Sequence, residues 1–264
     1  MEKEKITMFN HPFKWFRNQI KGWPLPNYCL FWFAVGCQLM LYVTGKINLL
    51  STVTMIGTIL GVLCIVSINA AKSVNGILGM ISAFCLIYVG FSAKNYLSCF
   101  EQTAYILTLD LPVIISSFIR NPKSKLAKIF QGWDDNTQEH LRTFTPKMWI
   151  IAIISTLLVW VISAYGIGHL TNDPRPWIDG MSFAISLTAG IMCFFRYNIQ
   201  FVWWICSGCS AIILWLVTYL QGGATLAMLI SSSIYLINDI IAFVSSPWFN
   251  RGRRRMGLKD IKAE

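Results

Sequence analysis

The chain has 264 residues, 55% of them hydrophobic and 13% charged, with a formal net charge of +10. A soluble domain cannot use that much apolar sequence with so little polar surface to cover it, so an ordinary globular protein is excluded. The positive balance does not indicate a nucleic-acid partner either, because the charges collect in loops and tails between long apolar blocks.

Each block is long enough to cross a hydrocarbon layer about 30 Å thick at about 1.5 Å of rise per residue. In lipid such runs must be helical, because a helix satisfies its own backbone hydrogen bonds. The short alternating strands of a membrane barrel are absent. The expected fold class is an all-α integral membrane protein. In chain order the helices fall near 27–45, 51–70, 74–93, 97–119, 148–166, 179–195, 199–220 and 224–248. Breaks are marked by Gly45-Lys46, Ala71-Lys72, Lys94-Asn95, the polar stretch 120–147, the Pro-rich Asn172–Trp177, Arg196–Asn198 and Gln221-Gly222-Gly223. The first block, Tyr28 to Gly45, has no small-residue cleavage site and reads as a retained helix.

With the amino terminus in the cytoplasm, nineteen of the twenty-two lysines and arginines fall on the cytoplasmic side, leaving Lys46, Lys94 and Arg175 outside. The positive-inside rule therefore predicts that both termini are cytoplasmic. The tail Arg251-Gly-Arg-Arg-Arg reads as a topology signal that touches anionic headgroups.

The eight cysteines lie mostly inside apolar blocks, and Cys206-x-x-Cys209 sits mid-helix with no second pair nearby. They read as small packing residues rather than metal or redox groups. His11, His140 and His169 form no constellation, so no metal and no cofactor are expected. There is no Ser/His/Asp or Cys/His arrangement and no Walker-type phosphate loop, so neither an enzyme nor ATP-driven transport fits.

Segment 54–119 resembles segment 183–248 at a constant offset of 129. Gly61 matches Gly190, Cys64 matches Cys193, Asn69 matches Asn198, Gly79 matches Gly208, Asp110 matches Asp239, and Ser116-Ser117 match Ser245-Ser246. Each copy has three helices, and the single helix between them reverses direction. Both copies therefore enter the membrane the same way up, a parallel repeat like that of the SWEET sugar transporters, with a solute site expected near the midplane between them. The expected organisation is a leading segment 1–50, a first triplet 51–119, a basic loop and linker helix 120–178, a second triplet 179–248 and a basic tail 249–264.

An ionisable side chain at a helix centre costs roughly 2.5–3.5 kcal/mol on insertion scales, so it normally faces a cavity or a partner. Asp110 and Asp239 are such residues. Glu101, Tyr105, Thr108 and Pro112 recur at helical spacing with Gln102 alongside, and so do Ser231, Tyr235, Asn238 and Ala242 with Asp239 alongside. Their amide and phenol groups suit a neutral solute read through hydrogen bonds. The alternative is polar glue between helices, worth about 0.6 kcal/mol per bond. Pro112 frees the carbonyl of Thr108 and predicts a kink. Trp203 and Trp204 begin a helix where indoles anchor to headgroups, yet Trp204, Gly208, Ala211 and Trp215 share one face suited to stacking a planar ring. The two aspartates leave proton coupling open.

Met55-Ile-Gly-Thr-Ile-Leu-Gly-Val-Leu-Cys-Ile65 resembles the first core helix of the PnuC family of bacterial nicotinamide riboside transporters. Gln102 sits where that family has a glutamine, Pro176-Trp-Ile-Asp179 is similar to the start of its second repeat, and Asn238 falls where its last helix carries asparagine. The resemblance covers about 50–250. It implies a SWEET-like seven-helix core in the bacterial plasma membrane and facilitated diffusion of an uncharged ribonucleoside-type vitamin precursor. It also implies trapping of that solute by a cytoplasmic kinase. It leaves room for a homo-oligomer and for relatives that carry thiamine, riboflavin or deoxynucleosides. Where the nicotinamide riboside carriers have W-x-x-W, this chain has Trp204 followed at that spacing by Ser207. The expected substrate-binding residues are Gln102, Tyr105, Trp204, Ser207, Tyr235, Asn238, Asp110 and Asp239.

Overall fold

Apolar helices occupy every predicted span. The structure, a computed structural model, describes residues 11–70, 72–118, 144–195, 197, 199–224, 226–246 and 249. Most of the predicted basic loop, the basic tail, Arg196, Asn198 and the side chains of Ser116 and Ser117 lie outside the described residues. The helices are α1 (Pro12–Ile20), α2 (Leu25–Thr44), α3 (Leu49–Asn69), α4 (Asn75–Ser92), α5 (Tyr96–Tyr105), α6 (Leu111–Phe118), α7 (Pro146–Ile162), α8 (Gly168–Thr171), α9 (Pro176–Phe194), α10 (Gln200–Leu220) and α11 (Leu226–Ser245). A π turn, Ile106–Asp110, joins α5 to α6, and a second, Ser163–Ile167, joins α7 to α8. Among the described residues seven helices are long and apolar enough to cross a membrane, with Pro146–Thr171 counted as one, and the α5–α6 rod is an eighth apolar segment cut by its π turn.

Burial is inverted relative to a soluble protein. Phe33, Phe84, Ile151 and Leu158 lie on the outer surface, whereas Asn27, Thr58, Asp179 and Ser186 are fully buried. An apolar belt of that extent on a soluble monomer would drive association; in a bilayer it is the lipid-facing surface. Cys206 and Cys209 are exposed on this belt, so they are not core packing residues as expected. The i, i+3 spacing puts both on the face of α10 opposite its buried side.

Local sequence sets the boundaries. Asn48 and Ser51 form a reciprocal capping box at the start of α3. Prolines occupy the first turns of α2, α7 and α9, where a missing N–H costs nothing. Lys94 and Asn172 adopt left-handed backbone at the ends of α4 and α8. α9 begins at Pro176, three residues earlier than predicted, and carries Asp179 in its first turn, where a carboxylate complements the helix dipole. α1 was not predicted, because nine residues are too short to span. It is held by the Gln19 side-chain oxygen, which accepts from Ser73 Oγ and the Val74 N–H, both at 3.3 Å.

The predicted kink is a π turn ending two residues before Pro112, with the Leu111 N–H bonding the Ile106 carbonyl five residues back. Such a turn inserts one extra residue and rotates everything after it.

Within each predicted triplet the first helix packs on the second and the second on the third: α3 on α4, α4 on α5, α9 on α10, α10 on α11. Contacts between the triplets are reciprocal, with α5 against α9 and α11 against α3. The lead-in α2 leans on α3 and α11, where Gln38 Nε2 donates to Ser231 Oγ at 2.9 Å and to the Ala227 carbonyl at 3.2 Å. α7 packs on α9.

Candidate functional site

A cavity of about 160 Å³ lies between the triplets, and its wall is made by α3, α4, α5, the π turn, α9, α10 and α11. Neither α2 nor α7 contributes a lining residue. The eight predicted site residues, Gln102, Tyr105, Asp110, Trp204, Ser207, Tyr235, Asn238 and Asp239, all line it.

The π turn decides which part of the α5–α6 rod faces inward. A regular helix would have carried the stripe from Glu101 and Tyr105 on to Thr108 and Pro112. Instead Leu109 and Asp110 line the cavity, because the five-residue turn brings position 110 beneath Tyr105. Thr108 is turned toward α9, beside Gly190. Two glycines complete the arrangement. A Cβ at Gly79 would fall on the Asp110 carboxylate, and one at Gly61 would fall on the Tyr235 hydroxyl. Gly61→Ala is therefore expected to push Tyr235 out of place at an overpacking cost of ~1–3 kcal/mol. A thermal unfolding midpoint equal to that of the parent protein would contradict this.

Several polar groups are already engaged. Tyr105 Oη donates to Glu101 Oε1 at 2.9 Å, and Ser186 and Ser207 share a hydrogen bond at 2.6 Å. Asn69 Nδ2 donates to Asn238 Oδ1 at 3.2 Å and to Asn27 Oδ1 at 3.5 Å. Asn69 Oδ1 is buried without a partner and lines the cavity, which makes it a free acceptor for a solute. In the sequence Asn69 stands out only as a repeat match, and Glu101 only as one position of a helical stripe. Both are ordinary readings of buried polar groups in an apolar helix, and only their convergence on one cavity separates them from interhelical glue.

The aromatic wall is Trp204, tilted at 53° against Tyr105 with ring centroids 5.6 Å apart. Trp203 is not at a headgroup surface as expected. It is buried against Trp149, with ring planes 25° apart and centroids 6.3 Å apart. Successive helical residues differ by about 100° around the axis, so adjacent tryptophans cannot share a face. Trp215 lines the cavity three turns away, in an apolar cluster with Leu86 and Met228.

Three carboxyl groups, Glu101, Asp110 and Asp239, line this cavity, and none of the described lining residues is Lys, Arg or His. Among the described residues no group of three or more His, Cys, Asp or Glu is placed to hold a metal ion. The arrangement can hold a planar ring against an indole, offer hydrogen bonds around it and counter a positive charge.

The sequence profile of the nicotinamide mononucleotide transporter family matches residues 51–250. The nicotinamide riboside transporter PnuC of Neisseria mucosa is 24% identical over 245 residues, covering 92% of this chain and 88% of that protein. PnuC of Haemophilus influenzae is 28% identical over 198 residues, covering 73% of this chain and 78% of that protein. The crystal structure of the vitamin B3 transporter PnuC shares the fold with a TM-score of 0.72 at 19% identity, covering 91% of this chain and 98% of that one. With the profile spanning the whole cavity-forming region, this chain belongs to the nicotinamide mononucleotide transporter family of multi-pass membrane transporters and is not an enzyme.

Proposed function

We propose that the protein takes up nicotinamide riboside across the bacterial plasma membrane by facilitated diffusion. In this reading both termini are cytoplasmic, the two triplets rock against each other around the cavity, and a cytoplasmic kinase traps the solute by phosphorylation. One observation supports the riboside above the alternatives: the described residues lining the cavity include three carboxyl groups and no basic side chain. Nicotinamide riboside carries a fixed positive charge on its pyridinium nitrogen. A carboxylate in a low-dielectric cavity favours such a cation strongly. The sequence reading expected an uncharged solute; a cationic one suits the three carboxyl groups better, because a bound cation stabilises a carboxyl there in its ionised form. The mononucleotide adds a phosphate of about −1.5 to −2 charges at neutral pH, which needs cationic partners, and the described lining residues offer none.

The charge of each rival solute sets its rank. Thiamine also carries a ring cation and is the nearest; deoxynucleosides and riboflavin are uncharged and fit less well. The test is a binding panel on the purified protein with nicotinamide riboside, the mononucleotide, thiamine, riboflavin and a deoxynucleoside. The riboside should bind tightest and the mononucleotide should not bind measurably. Preference for an uncharged nucleoside would overturn the assignment. In proteoliposomes, riboside uptake should be indifferent to an imposed pH gradient and should rise with an internal kinase. Acceleration by the gradient, lost in Asp110→Asn or Asp239→Asn, would instead establish a proton-coupled symporter.

A further inference from the structure

At one end the cavity stops at Ser98, Ser182 and Trp215. About one helical turn beyond each, on the same helix or at its start, stands a member of a second polar cluster: Asn95, Asp179 and Thr218. Arg175 is at its centre and is 7% exposed, while Asn95 and Asp179 are fully buried.

The guanidinium is shared between three loops. Its Nε donates to Asn95 Oδ1 at 3.1 Å, and Nη2 donates to the same oxygen at 2.5 Å and to the Ala93 carbonyl at 2.7 Å. Nη1 donates to Gln221 Oε1 at 2.6 Å. Ala93 and Asn95 join α4 to α5, Gln221 follows α10, and Arg175 precedes α9. Two further bonds cross the same seam: the Leu97 N–H donates to Asp179 Oδ2 at 2.9 Å, and Asn95 Nδ2 donates to Thr218 Oγ1 at 3.2 Å. The first triplet is thus tied to the second directly above the cavity's end.

Asp173 and Asp179 flank the arginine, yet the guanidinium is hydrogen-bonded to neutral acceptors. The two carboxyls meet side chain to side chain, Asp173 Oδ1 accepts the Arg175 backbone N–H at 2.7 Å, and Asp173 Oδ2 and Asp179 Oδ1 receive no N–H donor. Two buried carboxyls set against each other cannot both ionise cheaply, so a cation brought onto the pair is favoured.

We infer that Arg175 is the latch of a gate that closes this end of the cavity, and that it exchanges partners when the gate opens. Closed, its planar fork bridges Ala93, Asn95 and Gln221 across the seam. As the triplets part, those acceptors withdraw and the guanidinium turns onto Asp173 and Asp179 of its own segment. Bonds from the guanidinium to neutral acceptors are replaced by bonds to carboxyl groups, so the open state leaves no buried cation unpaired. Lysine cannot fill the role, because a single ammonium cannot span three acceptors in one plane. The inference rests on alternating access but not on which solute is carried.

The test needs no substrate. Cysteines are introduced at Ser98, beneath the latch, and separately at Ile68, which lines the cavity near its other end. Purified full-length protein in detergent is exposed to a small charged methanethiosulfonate, and labelling is resolved by site with peptide mass spectrometry. In Arg175→Ala, labelling of Ser98→Cys should accelerate about tenfold, corresponding to ~1.4 kcal/mol in the closed-to-open equilibrium. Labelling of Ile68→Cys should slow, because opening one end closes the other. Gln221→Ala, at an exposed position, should move both rates in the same directions by less, and it serves if Arg175→Ala does not fold. If both rates rise, Arg175 merely holds the structure together; if neither moves, it is no latch. Either result overturns the inference.

Discussion

In Glu101→Gln, affinity for nicotinamide riboside is expected to fall about tenfold or more, while affinity for an uncharged nucleoside stays within about twofold, the loss of one charge–charge attraction of ~1.4 kcal/mol or more. The substitution keeps the volume and the oxygen that accepts from Tyr105 Oη at 2.9 Å, so the cavity's shape and its tyrosine are preserved. What it removes is the capacity for negative charge at a residue only 8% exposed. Bulk salt screens such a buried group weakly, so the loss should persist at high ionic strength. Asp110→Asn and Asp239→Asn complete the series, and each should shift preference toward uncharged solutes. Calorimetric titration of both solute classes checks the outcome. An equal loss for charged and uncharged ligands would mean that Glu101 supports the fold and does not select the cation.

The polar lining of the cavity was legible because the bilayer penalises it. Asp110, Asp239, Gln102 and Asn238 stand out in apolar helices, where an unpartnered polar group costs kilocalories. Helical spacing then placed Tyr235 with Asn238, and Trp204 with Gly208, on faces that do line the cavity. The frame shift at Ile106–Asp110 was not legible. Pro112 announces a disturbed helix, but a kink and a π turn accommodate its missing N–H equally well at sequence level. Only the π turn puts Asp110, and not Thr108, into the cavity. The Arg175 cluster was illegible for another reason. Its partners come from loops separated by 80 and 46 residues, and no periodicity links them. Arg175 therefore registered as one of three stray cations on the less basic side. The burial of Trp203 depends on Trp149 of α7, a contact made by the packing of α7 on α9 and not by any pattern within α10.

Trp204→Ala is expected to weaken nicotinamide riboside binding about 5- to 100-fold, from the ~1–3 kcal/mol that base–aromatic stacking contributes. Truncating a partly buried indole also removes packing, at a cost below the ~3–5 kcal/mol of a fully buried one, so affinity must be read against a control. Trp215→Ala supplies it. That indole also lines the cavity, but eleven residues away, about 16 Å along the helix, among Leu86 and Met228. Both variants should unfold at lower temperature, and only Trp204→Ala should lose the ring; Trp204→Phe should recover most of it. Ser207→Trp, which recreates the W-x-x-W spacing, should not improve binding. Ser207 is buried and bonded to Ser186 at 2.6 Å, so α9 and α10 approach too closely there to admit an indole. The expected result is a destabilised protein with unchanged or weaker affinity. A gain in affinity from Ser207→Trp would show that the second stacking wall can be rebuilt, and that Tyr105 does not take its place.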